Sequence, residues 1–216
     1  MIVFEKTEVW GFEHAVRGMR NPLNSWDKSD SYTSADGRFM LGTKDRDLAV
    51  RLISGGQPHR KFLRQIFVST DITAPHYWWA QFDTYKVGTT ANSCSKMHKL
   101  FCKPFEESDF SFEKCDSNAE KGVVKGLVST LNYYRDEWLT CTDEARRKEL
   151  WYTVIQILPM SYNQKRTVTM NYETIINIME YRKGHKLAEW KEFIAWADQL
   201  PYGDMLEEGL SRSCGQ

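Results

Sequence analysis

Hydrophobic and polar positions alternate over residues 66–73. The side chains that would share one face are Ile66, Val68, Thr70 and Ile72. That period of two is typical of a half-buried strand. Pro75 then suits the first turn of a helix, where no backbone N–H is missed. The aromatic side chains that continue at helical spacing are Trp78, Trp79, Phe82 and Tyr85.

From Val87 the chain turns small and polar, and Gly88 permits a turn. The polar members of this stretch are Thr89, Thr90, Asn92, Ser93 and Ser95. Small hydroxyls and amides just past a helix suit binding to phosphate or to a planar polar ligand. An ordinary strand–helix–loop core unit explains the same pattern, so both interpretations stay open.

Hydrophobic spacing predicts further elements in the N-terminal half. We expect a strand over 1–10, a helix over 11–19, a short strand over 38–41 and a helix over 44–54. The polar stretch 21–37 is a long loop, and loops of that length are usually functional or mobile. A substrate lid is one hypothesis for it.

The C-terminal half is predicted to be mostly helical. We expect helices over 118–138, from Thr142 to Pro159, over 172–182 and over 186–199, with an extended segment over 161–170. Thr142 and Asn171 are candidate N-caps. The stripe predicted for the first of these helices is Val123, Val124, Leu127, Val128 and Leu131. The tail 211–216 is expected to be frayed.

Composition narrows the class of protein. The chain has 216 residues, 41% hydrophobic, and no Pro/Gly/Ser linker, which favours a single domain over 1–216. Lys+Arg and Asp+Glu are both 29, so no direct nucleic-acid binding is expected. No apolar run reaches the roughly 18 residues that a membrane span needs. Five cysteines without a C-x-x-C pair indicate free thiols in the cytoplasm.

Several motifs of common enzyme sites are absent from the sequence. It has neither phosphate-cradle glycine motif, no Gly-x-Ser-x-Gly elbow and no His-x-x-x-His pair, so no metal site is predicted. A basic segment does follow Pro58: His59, Arg60, Lys61 and Arg64. It could be a phosphate-binding helix start. Spacing alone favours a solvated basic face.

Three separated segments, however, together resemble the flavin-dependent thymidylate synthases. That family has a strand ending in Ala-Pro, then Arg-Gln-(Trp/Phe), Arg-His-Arg-x-x-Ser and Asn-Glu-x-Ser-x-Arg-Tyr. Here Ala74-Pro75 is kept, and Gln81-Phe82 stands at the Gln-Trp. Thr84-Tyr85-Lys86 falls on the Arg-His-Arg, and Asn92-Ser93-Cys94-Ser95 on the Asn-Glu-x-Ser.

The other two segments lie upstream and downstream of this one. His59 falls on the first His of the family's Gly-His-x-Ser-x-x-Glu-His element, with Lys61 in place of the Ser. Downstream, Asn171 follows Leu158-Pro159 at the same distance along the chain as the corresponding Asn does in the family. The next helix runs through Asn177 to Tyr181-Arg182, where the family has Leu-Arg.

The resemblance implies an α+β fold in which long helices flank an antiparallel sheet. It implies a homotetramer with active sites shared between subunits, and a pyrimidine deoxynucleotide substrate, dUMP or a related compound. The implied reaction moves a one-carbon unit from methylenetetrahydrofolate to C5 of the uracil ring. Reduced FAD supplies the hydride in that family.

The resemblance also implies roles for individual residues. Arg182 and Gln81 are the predicted catalytic residues. Those expected to hold the nucleotide are Gln81, Tyr85, Lys86, Thr89, Asn92, Ser93, Ser95 and Arg182. Those expected beside the flavin are His59, Lys61, Tyr85, Lys86, Asn171 and Asn177. Other interpretations stay open, because Arg182 also suits a helix C-terminus, Asn171 could be only an N-cap, and Gln81 and Tyr85 could both be solvated on one helix face.

Departures from the family pattern concern its arginines. Thr84-Tyr85-Lys86 leaves one cation where the family has two Arg, and Met97 and Ile155 fall on two more. Losing a charged hydrogen bond to a phosphate costs about 1.5–3 kcal/mol. The basic side chains that could compensate are Lys61, Arg64, Lys86 and Lys96, with His98 as a further polar, stackable group.

Two functions therefore follow from the sequence. One is a divergent flavin- and folate-dependent methyltransferase acting on a pyrimidine deoxynucleotide. The other is a non-catalytic nucleotide-binding or structural homologue that has kept the scaffold and lost flavin chemistry.

Overall fold

The computed structural model describes residues 1–95 and 99–213. Its α-helices are α1 Phe12–Met19, α2 Thr43–Ser54, α3 His76–Phe82, α4 Asn118–Thr140, α5 Glu144–Ile157, α6 Tyr172–Arg182, α7 Ala188–Asp198 and α8 Gly203–Ser213. Its strands are β1 Val3–Trp10, β2 Tyr32–Thr33, β3 Phe39–Met40, β4 Phe67–Pro75, β5 Thr89–Ser93 and β6 Asn163–Asn171. None of the described helices is both long and apolar enough to cross a membrane.

Four strands form one sheet in the order β1-β4-β6-β5, and β2 pairs with β3 in a separate ribbon. Side-chain hydrogen bonds join Thr167 to Asp71 and Thr169 to Ser69, so β6 and β4 run in opposite directions. The predicted antiparallel sheet with flanking helices is confirmed. The alternation along β4 is confirmed as well, since Val68, Thr70 and Ile72 are buried on one face.

The chain divides into two compact units. The first unit consists of Met1–Val3, Ile72–Thr84 and Asn92–Arg166, and the second unit of Phe4–Asp71, Tyr85–Ala91 and the chain from Thr167 onward. Whether residues 1–216 behave as the single domain predicted from the sequence stays a prediction.

Helices α4 and α5 carry the core of the first unit. Leu131 and Val154 are fully buried among phenylalanines 101, 105 and 110. Ser117 begins α4 with a capping box to Glu120. Asp143, rather than the predicted Thr142, caps α5, because its carboxylate accepts the N–H of Ala145 at 2.9 Å. Val123 was predicted to be in the apolar stripe of α4 but is 73% exposed.

Helices α2, α6, α7 and α8 form much of the second unit. The aromatic side chains Trp190 and Phe193 of α7 are fully buried, as are Ile175 and Ile176 of α6. The sequence analysis missed α8 and predicted a frayed end from residue 211, but the helix continues through Ser213.

One buried carboxylate fixes the polar loop predicted over 21–37. Asp45 of α2 is inaccessible to solvent. Its Oδ2 accepts the hydroxyls of Ser29 and Ser31 at 2.7 and 2.6 Å and the backbone N–H groups of Asp30 and Ser31. Arg20 donates to Oδ1 from its Nε. The loop is therefore anchored to α2, which does not support the lid hypothesis.

Candidate functional site

Arg182, the last residue of α6, is oriented by aromatic side chains of the second unit. Its Nε donates a hydrogen bond of 2.8 Å to the Oη of Tyr85. The guanidinium carbon lies 4.7 Å from the centroid of the Trp190 ring and 5.5 Å from that of Tyr85. The N–H groups of an arginine held in this way point in a defined direction. The structure thus brings together two of the predicted site residues, Arg182 and Tyr85.

Tyr85 does not belong to α3. That helix ends at Phe82, so Gln81 and Tyr85 do not share the helix face that their spacing predicted. Asp83 and Thr84 close the helix with backbone N–H groups that donate to Trp79 and Gln81. Gln81 is half-buried in the first unit.

The segment from Tyr85 to Gly88 is fixed along α6. The backbone carbonyl of Val87 accepts the hydroxyl of Thr174 at 2.9 Å, and that of Gly88 accepts the N–H of Asn171 at 3.2 Å. Gly88 has φ +73°, and a Cβ there would lie 2.4 Å from Nδ2 of Asn171. Only glycine fits this turn without strain. Contacts at both ends of α6 therefore position the Tyr85 ring.

Asn171 acts as the N-cap of α6, as the sequence predicts. Its Oδ1 accepts the backbone N–H of Thr174 at 2.9 Å and lies 3.1 Å from the Thr174 hydroxyl oxygen. Asn171 is 8% exposed. Its carbonyl oxygen is therefore already engaged within the second unit.

Asn177 receives a hydrogen bond from Arg60, a member of the basic segment for which spacing favoured a solvated face. Nη2 of Arg60 donates to Oδ1 of Asn177 at 2.7 Å, and its Nε donates to Oε1 of Glu173 at 3.2 Å. Arg60 and Glu173 are both buried. The basic segment 59–64 is therefore not a uniformly solvated face: Arg60 is buried, whereas His59, Lys61 and Arg64 are exposed.

Two other predicted flavin residues, His59 and Lys61, are exposed. Both line a cleft of about 540 Å³ in the second unit. Its apolar walls include Met19, Leu48 and Phe62. The cleft offers two basic side chains beside an apolar surface, which suits a planar ligand that carries anionic groups.

The small polar residues after Gly88 form a strand, β5, where the sequence suggested a loop. Asn92 and Ser93 are exposed, as is Lys86 before the strand. Thr89 is half-buried, and its Oγ1 has no hydrogen-bond partner among the described residues. Ser95 lines a cavity of about 230 Å³ in the first unit with Lys99, Asp109 and Tyr162. Burial, then the charge of Asp109, raises the pKa of the Tyr162 phenol.

Three residues named in the sequence analysis lie outside the described part of the chain: Lys96, Met97 and His98. The sequence analysis missed Arg166, on β6. It contacts Asp83, Gln164 and Trp79 in the first unit. An isolated arginine in an alternating strand gives no signal in the sequence, because two of its three partners are distant in the chain: Trp79 of α3 and Asp83, which follows that helix.

Comparison with solved structures identifies the fold. The flavin-dependent thymidylate synthase ThyX from Helicobacter pylori, complexed with FAD and dUMP, superimposes with a TM-score of 0.69 at 18% identity, covering 96% of this chain and 98% of that one. A second structure of the Helicobacter pylori enzyme with FAD and dUMP, at 16% identity, also gives 0.69 and covers 97% and 99%. The UMP/dUMP methylase PolB from Streptomyces cacaoi, bound with 5-Br dUMP, gives 0.58 at 12% identity and covers 98% and 95%.

No protein-family model matches the sequence, and no curated protein matches it either. The chain therefore has the fold of the flavin-dependent thymidylate synthases over nearly its whole length. The resemblance seen in the sequence is confirmed at the level of the fold. At these identities a shared fold does not by itself establish a shared activity.

Proposed function

We propose that this protein is a flavin-dependent thymidylate synthase-like enzyme. It would transfer a one-carbon unit from methylenetetrahydrofolate to C5 of a pyrimidine deoxynucleotide, dUMP or a related compound. The observation that carries the proposal is the fixed guanidinium of Arg182, on the fold of proteins whose structures hold dUMP or 5-Br dUMP. Resemblance matches Arg182 to a residue that holds the nucleotide.

The proposed roles follow from hydrogen-bonding chemistry. Arg182 donates from Nε to Tyr85 and stacks on Trp190, which favours its use as an oriented donor to substrate oxygens. The Tyr85 oxygen accepts from Arg182, and among the described residues its own O–H has no acceptor, so it can donate to substrate. Gln81 would bind the uracil edge, since an amide both donates and accepts. Lys86, Thr89, Asn92, Ser93 and Ser95 are proposed as further nucleotide contacts.

The residues matched to flavin binding fit that role unequally. His59 and Lys61 line an open cleft and could hold a ring and a phosphate of FAD. The side-chain oxygens of Asn171 and Asn177 already accept hydrogen bonds within the second unit. When bound, reduced flavin would supply the hydride that completes a methyl group. Tyr85 and Lys86 complete the proposed flavin set.

The test is a product assay with a matched variant. The purified protein is incubated with reduced FAD, methylenetetrahydrofolate and dUMP, and the nucleotide is analysed by mass spectrometry. We expect a C5-methyl or C5-hydroxymethyl nucleotide, and a loss of roughly 10-fold to 100-fold in kcat/KM for Arg182→Met. Arg51→Met is the control, because Arg51 also lies in the last turn of a helix and is exposed. Equal activity of the two variants would contradict the role of Arg182.

A second candidate function is a nucleotide-binding or structural homologue without flavin chemistry. The engaged oxygens of Asn171 and Asn177 favour it. The visible absorbance spectrum after addition and removal of excess FAD separates the two functions. A retained flavin band supports the enzyme, whereas binding of dUMP without any flavin supports the homologue. We also propose the homotetramer. Light scattering on the protein as it elutes from a size-exclusion column measures the mass of the assembly.

A further inference from the structure

Arg166 lies at a cavity of about 330 Å³ within the first unit. Its side chain is 14% exposed, and three contacts fix its guanidinium. Nη1 donates to Oδ1 of Asp83 at 2.7 Å, Nε donates to Oε1 of Gln164 at 3.1 Å, and the guanidinium carbon lies 4.1 Å from the centroid of the Trp79 ring. An arginine held on one face and by two of its three nitrogens has lost much of its side-chain freedom before a ligand arrives.

The supports of Arg166 are themselves fixed. Trp79 is 1% exposed, and its Nε1 donates to the backbone carbonyl of Gln164 at 2.9 Å. The amide nitrogen of Gln164 donates to the carbonyl of Cys94 at 3.0 Å. Because Trp79 and Gln164 are each held by a further hydrogen bond, the direction of the Arg166 guanidinium is set by the fold.

One nitrogen of the guanidinium, Nη2, remains for a ligand. Within the described part of the chain, Nη2 of Arg166 donates no hydrogen bond. The cavity also has an apolar wall, formed by Ile155, Leu158, Pro159 and Met160. An oriented cation beside an apolar wall suits a ligand in which an anionic group is attached to a less polar body. A nucleoside monophosphate has that character.

Ile155 lines the same cavity as Arg166. Position 155 is the one that resemblance matches to a nucleotide-binding arginine, and here it carries no charge. We infer that Arg166 binds the phosphate of the nucleotide, so that the cation enters this cavity from β6 instead of from α5. This inference rests on the proposed function, because it takes the ligand to be a nucleotide.

Asp83 also lines the cavity, and its negative charge partly offsets the positive charge of Arg166. Its carboxylate is 52% exposed, so water screens it, whereas the Arg166 guanidinium is largely enclosed. Asp83 orients Nη1 and leaves Nη2 to the ligand. Nη2 of an arginine oriented in this way can donate a charge-assisted hydrogen bond to a phosphate oxygen.

The test compares dUMP with deoxyuridine, which lacks the phosphate. Affinities are measured by calorimetry for the wild-type chain, Arg166→Met, Arg166→Lys and the control Arg146→Met. Arg146 lies on α5, is exposed and pairs with Glu149. For Arg166→Met we expect the affinity for dUMP to fall roughly 10-fold to 100-fold and that for deoxyuridine to change less than about twofold. Arg166→Lys should retain part of the affinity, as a point charge.

Three outcomes would overturn the inference. Equal losses for dUMP and deoxyuridine would show that Arg166 does not contact the phosphate. No loss for either folded Arg166 variant would show that the cavity is not part of the site. Adding Ile155→Arg to Arg166→Met should restore part of the dUMP affinity, and a folded double variant as weak as the single one would contradict the placement of the phosphate in this cavity.

Inorganic phosphate separates this inference from the proposed function. The unfolding temperature is measured in phosphate and in chloride at equal ionic strength. If phosphate stabilises the wild-type chain but not Arg166→Met, and dUMP does not bind, the proposed function fails while the anion site stands. If dUMP binds equally to the wild-type chain and both folded Arg166 variants, the inference fails and the proposed function stands.

Discussion

The Nε of Arg182 donates a hydrogen bond of 2.8 Å to the Oη of Tyr85, which lies 97 positions earlier in the chain. Tyr85 takes the place where the resemblance expects a histidine. A phenol can accept from one arginine while it donates its own proton elsewhere, so it can orient Arg182 and still serve a ligand. This pair links the predicted nucleotide site to the turn at Gly88.

Tyr85→Phe tests this pair. It removes the oxygen that accepts from Arg182 and keeps the ring, so the arginine loses one constraint but not its stacking on Trp190. We expect the affinity for dUMP to fall roughly 2-fold to 10-fold, the effect of one ordinary hydrogen bond. Titration calorimetry measures it. Tyr181→Phe is the control, since Tyr181 is 71% exposed. An unchanged affinity for dUMP would mean that Tyr85 is not part of the nucleotide site.

Asp45→Asn should destabilise the second unit in a way that depends on pH. Burial raises the pKa of the Asp45 carboxyl, but hydrogen bonds from Ser31, Ser29 and Arg20 outweigh burial and hold that pKa below its ordinary value. A lowered pKa means that the stabilisation is present above the unfolded pKa of about 4 and is lost as pH falls through the folded pKa. Leaving Arg20 without its charged partner should cost about 3–5 kcal/mol at neutral pH.

Urea unfolding at several pH values measures this effect. The difference between the wild-type chain and Asp45→Asn should be largest at neutral pH and should shrink below about pH 4. Asp47→Asn is the matched control, because Asp47 lies on the same helix and is exposed. A difference that is constant over the whole pH range would mean that the carboxylate charge contributes nothing.

Gly88→Ala and Gly122→Ala should change stability in opposite directions. Alanine at 88 must adopt φ +73° and must displace the cap of α6, so we expect a loss of about 1–3 kcal/mol. Alanine at 122 lies in α4 with no atom within 4 Å of its Cβ, so we expect a gain of about 0.5–1 kcal/mol. Thermal unfolding of both variants measures the two changes. A stable Gly88→Ala variant would show that the turn can be rebuilt without glycine.

Asn171→Ala tests whether this residue is needed for folding. The loss of its N-cap hydrogen bond to Thr174 should cost about 0.5–2 kcal/mol of unfolding free energy. Asn171→Asp should recover most of that, since aspartate is an equally good N-cap. Chemical denaturation measures both variants. If Asn171→Asp weakens FAD binding while the unfolding free energy stays near that of the wild-type chain, the amide group contacts the flavin.

The sequence predicts most of the framework because local patterns specify it. The alternation along β4 and the N-cap at Asn171 are both observed, since each depends on near neighbours in the chain. Helix α8 was missed because its packing is not local. A Cβ on Gly209 would lie 2.2 Å from Cγ2 of Ile53, so this glycine is used for close contact with α2, although glycine disfavours helices.

The candidate site was less predictable than the fold. Resemblance identified Arg182, whose pairing with Tyr85 depends on where α3 ends, and α3 ends a turn earlier than the aromatic spacing indicates. Arg166 was missed, and Arg60 was placed on a face expected to be solvated, because an arginine has the same appearance in a sequence whether it is solvated or held by Trp79 or Glu173. Burial and orientation of a charge arise only from tertiary contacts.

The anchoring of the 21–37 loop by Asp45 has a consequence for the timescale of its motion. Backbone amides in a long surface loop ordinarily exchange with solvent quickly, through small local openings. Here the N–H groups of Asp30 and Ser31 donate to the buried carboxylate of Asp45, so each amide must leave that carboxylate before it can exchange. We therefore expect these two amides to exchange more slowly than those of an ordinary loop, at a rate that reports how firmly the loop is held to α2.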